Sequence, residues 1–367
     1  MIIKSRIRFK TPVLMMLAAL LAGACSGDKP MEPEQKPVPG ADFQITVVFA
    51  PGQLGDKGYA DNVMLGVGLL NDNKDSCDVQ FISTFDNTDT RKVLKSWAET
   101  PVNPFYDGDY KRRLLVLTEY FMIDWLDDIK DDLRADDEVL LLKVNDDDVQ
   151  HAAAAYGLEG RLHGLNISVA YSVRKFCRSM RWSVENMVEL DSSINIRVLP
   201  YFRLYDNDVV TYRDSVYETL AQELGDSTDI QVNSILRKTD TGTYSVLMGT
   251  SVIQTAYSYA QMMKQAYIEK GYYFAITDLG SGNVGWNYYL FGQNDGIVFE
   301  MLMLDTEEVV SMNSQYIFRR WDQAIYRWGK DWMMNEIGQM PRMKLYTNGE
   351  MCVDNIFDVD LYEDDEE

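Results

Sequence analysis

Only two histidines occur among the 367 residues, and 35 Lys and Arg stand against 57 Asp and Glu, for a formal net charge of −22. The resulting pI near 4.5 excludes nucleic acid as a partner, because displacing counterions from phosphates takes a surplus of Lys and Arg. The same deficit excludes anionic lipid headgroups as an electrostatic partner. The four cysteines, Cys25, Cys77, Cys177 and Cys352, form no C-x-x-C pair and no Cys/His cluster, so no metal site is legible. Asp146-Asp147-Asp148 lacks the Gly and the bidentate Glu that an EF-hand loop needs. G-x-S-x-G, H-E-x-x-H and P-loop motifs are missing, and His151 and His163 stand apart from any Ser or Cys nucleophile motif. Acidic residues are too abundant for any carboxylate pair to single out glycoside hydrolysis. The chain reads as a non-enzyme with no cofactor.

Long apolar runs are also scarce. Beyond Pro12 to Ala22, nothing approaches the ~18 uninterrupted apolar residues of a membrane span. That run follows Lys4, Arg6, Arg8 and Lys10, without an acid, and ends in Gly23-Ala24-Cys25-Ser26, which is the order of a signal peptide over 1–24. The ending resembles the lipobox of bacterial lipoproteins, which implies lipid attachment at Cys25. Ala22-Gly23-Ala24 also fits an ordinary A-x-A cleavage site, which would leave Cys25 unmodified in a plain secreted protein. Removing the four cations of the leader takes the net charge from −22 to −26. Residues 25–42, rich in Pro and Gly, read as a flexible tether. The expected location is the cell envelope, at the outer membrane or the periplasmic face, with the membrane touched through the N-terminal lipid only. Cys77, Cys177 and Cys352 are expected as buried small apolar residues, with one disulfide left open.

What remains is a globular composition, 46% apolar, long enough for about two domains. Apolar runs alternate with helical spacings. Strands are expected at 44–50, 79–83, 114–117, 139–144 and 165–169. Helices between them are marked by Tyr59, Val63, Val67 and Leu70, by Val93, Leu94 and Trp97, and by Phe121, Trp125 and Ile129. The alternation restarts with a helix through Val173 to Met187 and strands at 194–202, 230–236, 244–248, 272–276 and 297–304. Helices are expected at 209–224 and 253–267, and an aromatic stripe, Ile317, Trp321, Ile325, Trp328 and Trp332, falls at helical spacing. Continuous apolar strands between helices indicate parallel sheets covered on both faces. The fold class is therefore α/β with two lobes facing across a cleft: 43–168 with about 305–345 as lobe 1, 169–304 as lobe 2, and 346–367 as a C-terminal segment with an acidic tail. Open sheets of this kind bind ligands beyond the carboxyl ends of their strands.

The most informative stretch there is Phe49-Ala-Pro-Gly-Gln-Leu-Gly-Asp-Lys-Gly-Tyr-Ala-Asp-Asn62, a glycine-rich loop between the first strand and first helix. It resembles the first loop of the basic membrane protein family, nucleoside-binding lipoproteins of ABC importers with the type 1 periplasmic-binding fold. Gly52, Asp56 and Lys57 match that loop, and Tyr59 falls where the family has the Phe that stacks on the purine. Ala50 replaces the family's sugar-binding Asp, and Gly58 and Ala60 replace its Ser and Asn. The resemblance implies a type 1 periplasmic-binding fold, a small-molecule ligand between the lobes, and an ABC or other envelope transporter as partner. It also implies that Asp278, after a late strand of lobe 2, contacts the ligand. Read without the family, the loop is a capped turn in which Asp56 satisfies the helix start.

Gly280-Ser-Gly-Asn-Val-Gly285 is a literal G-x-G-x-x-G with Glu300 20 residues on. It lies late in the chain, before a short segment broken by Gly292 and Gly296, so a dinucleotide site is set aside in favour of a ligand-contacting or plain structural loop. The candidate ligand-binding residues are Gln53, Asp56, Tyr59, Asp86, Glu119, Asp278, Asn283 and Trp286, with Asn145 as a further strand-end amide. The function expected is capture of a nucleoside-like or sugar-like solute. The alternative is a surface interaction lipoprotein that keeps the fold and has lost the ligand.

Overall fold

The structure is a computed structural model describing residues 38–39, 41–55, 57–71, 77–100, 106–107, 110–190, 195–203, 219, 247–249, 253–266, 271–278, 282–291, 297–306, 314–347 and 349–357. A small parallel pair joins β1 (Val38–Pro39) to β4 (Tyr106–Asp107). The first large sheet is wholly parallel. Its members are β2 (Phe43–Val48), β3 (Cys77–Ile82), β5 (Arg112–Leu117), β6 (Asp137–Leu142), β7 (Leu162–Ile167) and β13 (Met343–Tyr346), in the order β13-β7-β6-β5-β2-β3. Ile45, Val47 and Phe49 point into one core cluster, and Val48 and Ala50 into another on the opposite face. Both faces are apolar, so the strand reads as a run rather than an alternation.

The first face is covered by α1 (Tyr59–Asn71) and α7 (Trp321–Met334). The second lies under α2 (Asn87–Glu99), a 3-10 helix (Tyr120–Asp128) and α3 (Asp146–Tyr156). The start of α3 is fixed by a capping box between Asn145 and Asp148, and its end by Gly157 in the left-handed region. Buried ion pairs brace the strand starts of this sheet. Arg113 forks onto Asp137, while Glu138 accepts from Arg112, from Trp332 Nε1 at 2.7 Å and from His163 Nε2 at 3.2 Å.

The second sheet runs β14-β12-β11-β10-β8-β9. These are β8 (Asn195–Arg203), β9 (Leu247–Gly249), β10 (Gly271–Asp278), β11 (Ile297–Leu304), β12 (Ser314–Arg319) and β14 (Cys352–Asp354), of which β14 alone is antiparallel to its neighbour. Three further helices are α4 (Ala170–Leu190), whose Ser172 and Lys175 reach Asp354 of β14, and α5 (Ile253–Ala266) and α6 (Gly282–Phe291), which pack on each other. The chain passes between the sheets three times: from β7 to α4, from β12 to α7, and from β13 to β14.

Several expectations change. Ile317 fits the helical stripe by spacing, yet it pairs with Leu304 of β11, and the helix begins only after Arg320, whose backbone is not helical. The stretch 305–345, expected whole in lobe 1, divides: β12 belongs to the second sheet, α7 and β13 to the first. Residues 120–128 adopt a 3-10 rather than an α-helix, in which i and i+3 align, so Met122 with Trp125 and Ile123 with Leu126 are buried together. The glycine motif at 280–285 is no loop from Gly282 on, where it opens α6. The expected elements at 209–224 and 230–236 lie outside the described residues, apart from Thr219.

Candidate functional site

The carboxyl ends of the two sheets meet at the loop before α1. Gly58 pairs as an antiparallel bridge with Thr306, just past the end of β11. Gly52 and Gly55 hold φ of 71° and 84°, which a side chain would strain, and they let this loop fold back over the end of β2. Its free N–H groups are taken by Asp61, whose carboxylate accepts from Gly55 N at 2.7 Å and Lys57 N at 2.9 Å. Asp56, the expected cap, lies outside the described residues.

Gln53 is fully buried at the end of β2. Its Oε1 accepts from Ala50 N at 2.8 Å and Thr118 Oγ1 at 3.2 Å, and its Nε2 donates to Glu119. Gln53 and Glu119 thus come together, clamping the ends of β2 and β5. Tyr59 is only 3% exposed. Its hydroxyl donates to Thr118 O at 2.6 Å, and its ring meets Trp321 edge-on at 5.3 Å. The ammonium of Lys143 sits 3.5 Å from the centre of the same ring. Tyr59 therefore belongs to the core, not to an open stacking wall.

Lys143 and Asp305 end β6 and β11, and both carry left-handed backbones, with φ of 58° and 52°. Lys143 Nζ lies 3.9 Å from Asp305 Oδ2, and Asp305 is forked by Arg319 at 2.8 Å and 2.5 Å. Sparsely populated backbone on facing strand ends from both sheets is a feature that clusters at ligand clamps.

The other expected residues divide between helix caps and the end of β11. Asp86 and Asn145 cap α2 and α3, each accepting an N3 backbone N–H at 2.8 Å. Asn283 and Trp286 are fully buried on α6, where Asn283 Nδ2 points to Leu304 O at 3.5 Å. Asp278 closes β10 opposite Phe202 of β8, with its side chain outside the described residues. Sequence reasoning missed Thr118, Lys143, Asp305 and Arg319. One signal existed: Lys143 is a lone charge in the apolar run Val139 to Val144.

Cys77, Cys177 and Cys352 are free thiols. Burial pushes Cys77 up to about 12 and Cys352 to about 11, so neither is a nucleophile at neutral pH. Among the described residues, no group of three or more His, Cys, Asp or Glu is placed to hold a metal, and no helix is long and apolar enough to cross a membrane.

This α/β fold of mainly parallel sheets flanked by helices superposes on solved structures of solute-binding proteins. This is the type 1 periplasmic-binding fold. An ABC transporter solute-binding protein from Burkholderia graminis, in complex with D-arabinose, superposes with a TM-score of 0.54 at 10% identity, over 86% of this chain and 95% of that one. GanP, a glucose-galactose binding protein from Geobacillus stearothermophilus, gives 0.53 at 9% identity over 86% and 97%. The transcriptional regulator CelR, in complex with cellobiose, gives 0.54 at 10% identity over 96% and 91%. No family model matches the sequence, and no curated protein does. At these identities the likeness is one of fold, and the fold serves importers and regulators alike.

Proposed function

We propose that the chain is a lipid-anchored extracytoplasmic solute-binding protein that holds a small sugar-like or nucleoside-like molecule between its lobes for uptake. The observation that carries this reading is the convergence of the two sheets' carboxyl ends at Gly58–Thr306 and Lys143–Asp305, where open α/β sheets take ligands. The solute-binding neighbours with sugars in their names support the same reading, and the neutralised Asp of the family loop, Ala50, favours a sugar-like over a ribose-bearing ligand. Cys25 carries the lipid, and residues 26–42 supply the reach from the membrane.

The test is a thermal-shift panel on the full chain in mild detergent, with hexoses, pentoses, nucleosides, bases and amino acids. At a hundredfold excess over Kd a ligand stabilises by about 2.7 kcal/mol, a shift of several degrees. A flat panel, repeated after unfolding and refolding to strip retained ligand, refutes solute binding.

One observation favours a second reading. The Tyr59 ring is occupied by Lys143 and Trp321, and Gln53 is bonded to Glu119, so several expected ligand groups engage each other. A surface interaction lipoprotein on the same fold would be left if the panel is flat.

A further inference from the structure

The Lys143 side chain is only 12% exposed, yet among the described residues its ammonium has no hydrogen-bond acceptor. The nearest carboxylate oxygen, on Asp305, is 3.9 Å away, beyond hydrogen-bond distance, and that carboxylate is already satisfied by the Arg319 fork and by Arg319 N at 3.3 Å. The Tyr59 ring 3.5 Å below accounts for one face of the ammonium by cation–π attraction and leaves its remaining N–H donors unused. Trp321, edge-on to the same ring, also keeps a buried Nε1–H without an acceptor. Lys143 and Arg319 both approach the Asp305 carboxylate where the two sheets meet, in a chain whose net charge is −22. A desolvated ammonium is costly unless an acceptor of opposite charge completes it. The left-handed backbone that aims Lys143 from the end of β6 adds a further local cost.

We infer that Lys143 is the anchoring cation of the cleft and that the ligand presents a carboxylate to it. The inference rests on the solute-binding reading above and names its ligand class: acidic small molecules, such as sugar acids or acidic amino acids, rather than their neutral counterparts. A carboxylate oxygen placed against Nζ makes the charge-assisted hydrogen bond that the fold leaves open, while the Tyr59 ring keeps the ammonium in position. It also explains how a strongly acidic protein takes an anion, because the attraction is local and short-ranged inside a partly dry cleft.

The experiment is isothermal titration of the full chain in mild detergent with matched pairs: glucuronate against glucose, galacturonate against galactose, and glutamate against glutamine. The first two pairs separate a sugar acid from the third, an amino acid. The expected result is binding of one acid at least about tenfold tighter than its neutral partner, a preference lost in K143M and retained in K143R. K143Q gives the same reading if K143M folds poorly by circular dichroism. Binding of neutral sugars with no acid preference overturns this inference and leaves solute binding standing. An acid preference that survives in both K143M and K143Q overturns the assignment to Lys143. A lowered Tm with an unchanged acid-to-neutral ratio shows a structural clasp between the lobes and overturns it too. No binding by any pair, with a flat thermal-shift panel as well, overturns both readings together.

Discussion

Two glycines on α1, two residues apart, should respond to the same substitution with opposite sign. A Cβ on Gly66 would lie 2.4 Å from the Asp322 carbonyl oxygen, 2.8 Å from its Cα and 2.5 Å from Ile325 Cγ2, all on α7. Two of these atoms are backbone and have no rotamer to change, so α1 must move off α7. A Cβ on Gly68 meets nothing within 4 Å. In a helix interior, Ala is favoured over Gly by about 1 kcal/mol, and this gain is common to both sites. Overpacking costs about 1–3 kcal/mol, at the upper end where neither side relaxes. G68A should therefore gain up to about 1 kcal/mol and G66A lose about 1–2, a gap of about 2–3 kcal/mol between the variants. Equilibrium urea unfolding followed by circular dichroism measures this as a displaced midpoint at constant slope. G66A should also loosen the contact of Tyr59 with Trp321, since these residues start the two helices that are forced apart. Equal midpoints for G66A and G68A would refute the close approach of α1 and α7.

Other outcomes follow from the buried polar groups. Burial alone would raise the Glu138 carboxyl, but hydrogen bonds from His163, Arg112 and Trp332 reverse this and hold it below its usual 4.5. Its contribution is thus present above the unfolded-state value and lost as pH falls through the folded one. E138Q should flatten the acid limb of a stability–pH profile, while losing about 3–5 kcal/mol near neutrality, because Arg112 stays buried without its counter-charge. W332F removes one donor to Glu138 and keeps an aromatic body in the core; a loss of about 1–2 kcal/mol in chemical denaturation is expected. Native Cys77 and Cys352 should resist iodoacetamide at pH 7.5 and react on unfolding, read by mass spectrometry, with Cys352 modified first as pH rises. C25S should leave the chain in the soluble fraction of the envelope, and continued partitioning with membranes would argue against the proposed anchor.

The order of strands and helices was legible because it rests on local chemistry. Apolar runs such as Ile45 to Ala50 and Val139 to Leu142 mark strands buried on both faces, and Tyr59, Val63, Val67 and Leu70 mark a helix by spacing alone. The glycine-rich loop was legible for the same reason, since Gly52 and Gly55 meet a backbone requirement that few other residues tolerate. Ile317 shows the limit. It satisfies a helical period with Trp321, and only its pairing with Leu304 of β11 makes it strand. The four-residue β13 is too short to carry a period, and only its pairing with β7 defines it.

The site divides along the same line. The expectation that ligand chemistry belongs at strand ends came from the sequence, as did some of the polar residues found there, Gln53 and Glu119 among them. Which of them face one another was decided by the chain's crossings. Asp86 and Asn145 went to helix caps, where a backbone N–H lay within reach. Tyr59 went into the core, where Thr118 O meets its hydroxyl and Trp321, distant in sequence, closes on its ring. Lys143 and Asp305, far apart in the sequence, were brought within 4 Å by the meeting of two sheets. Local pattern set the elements, because propensity and burial act over a few residues. The pairing of distant side chains needed the tertiary structure, because no local property encodes which strand end will lie opposite.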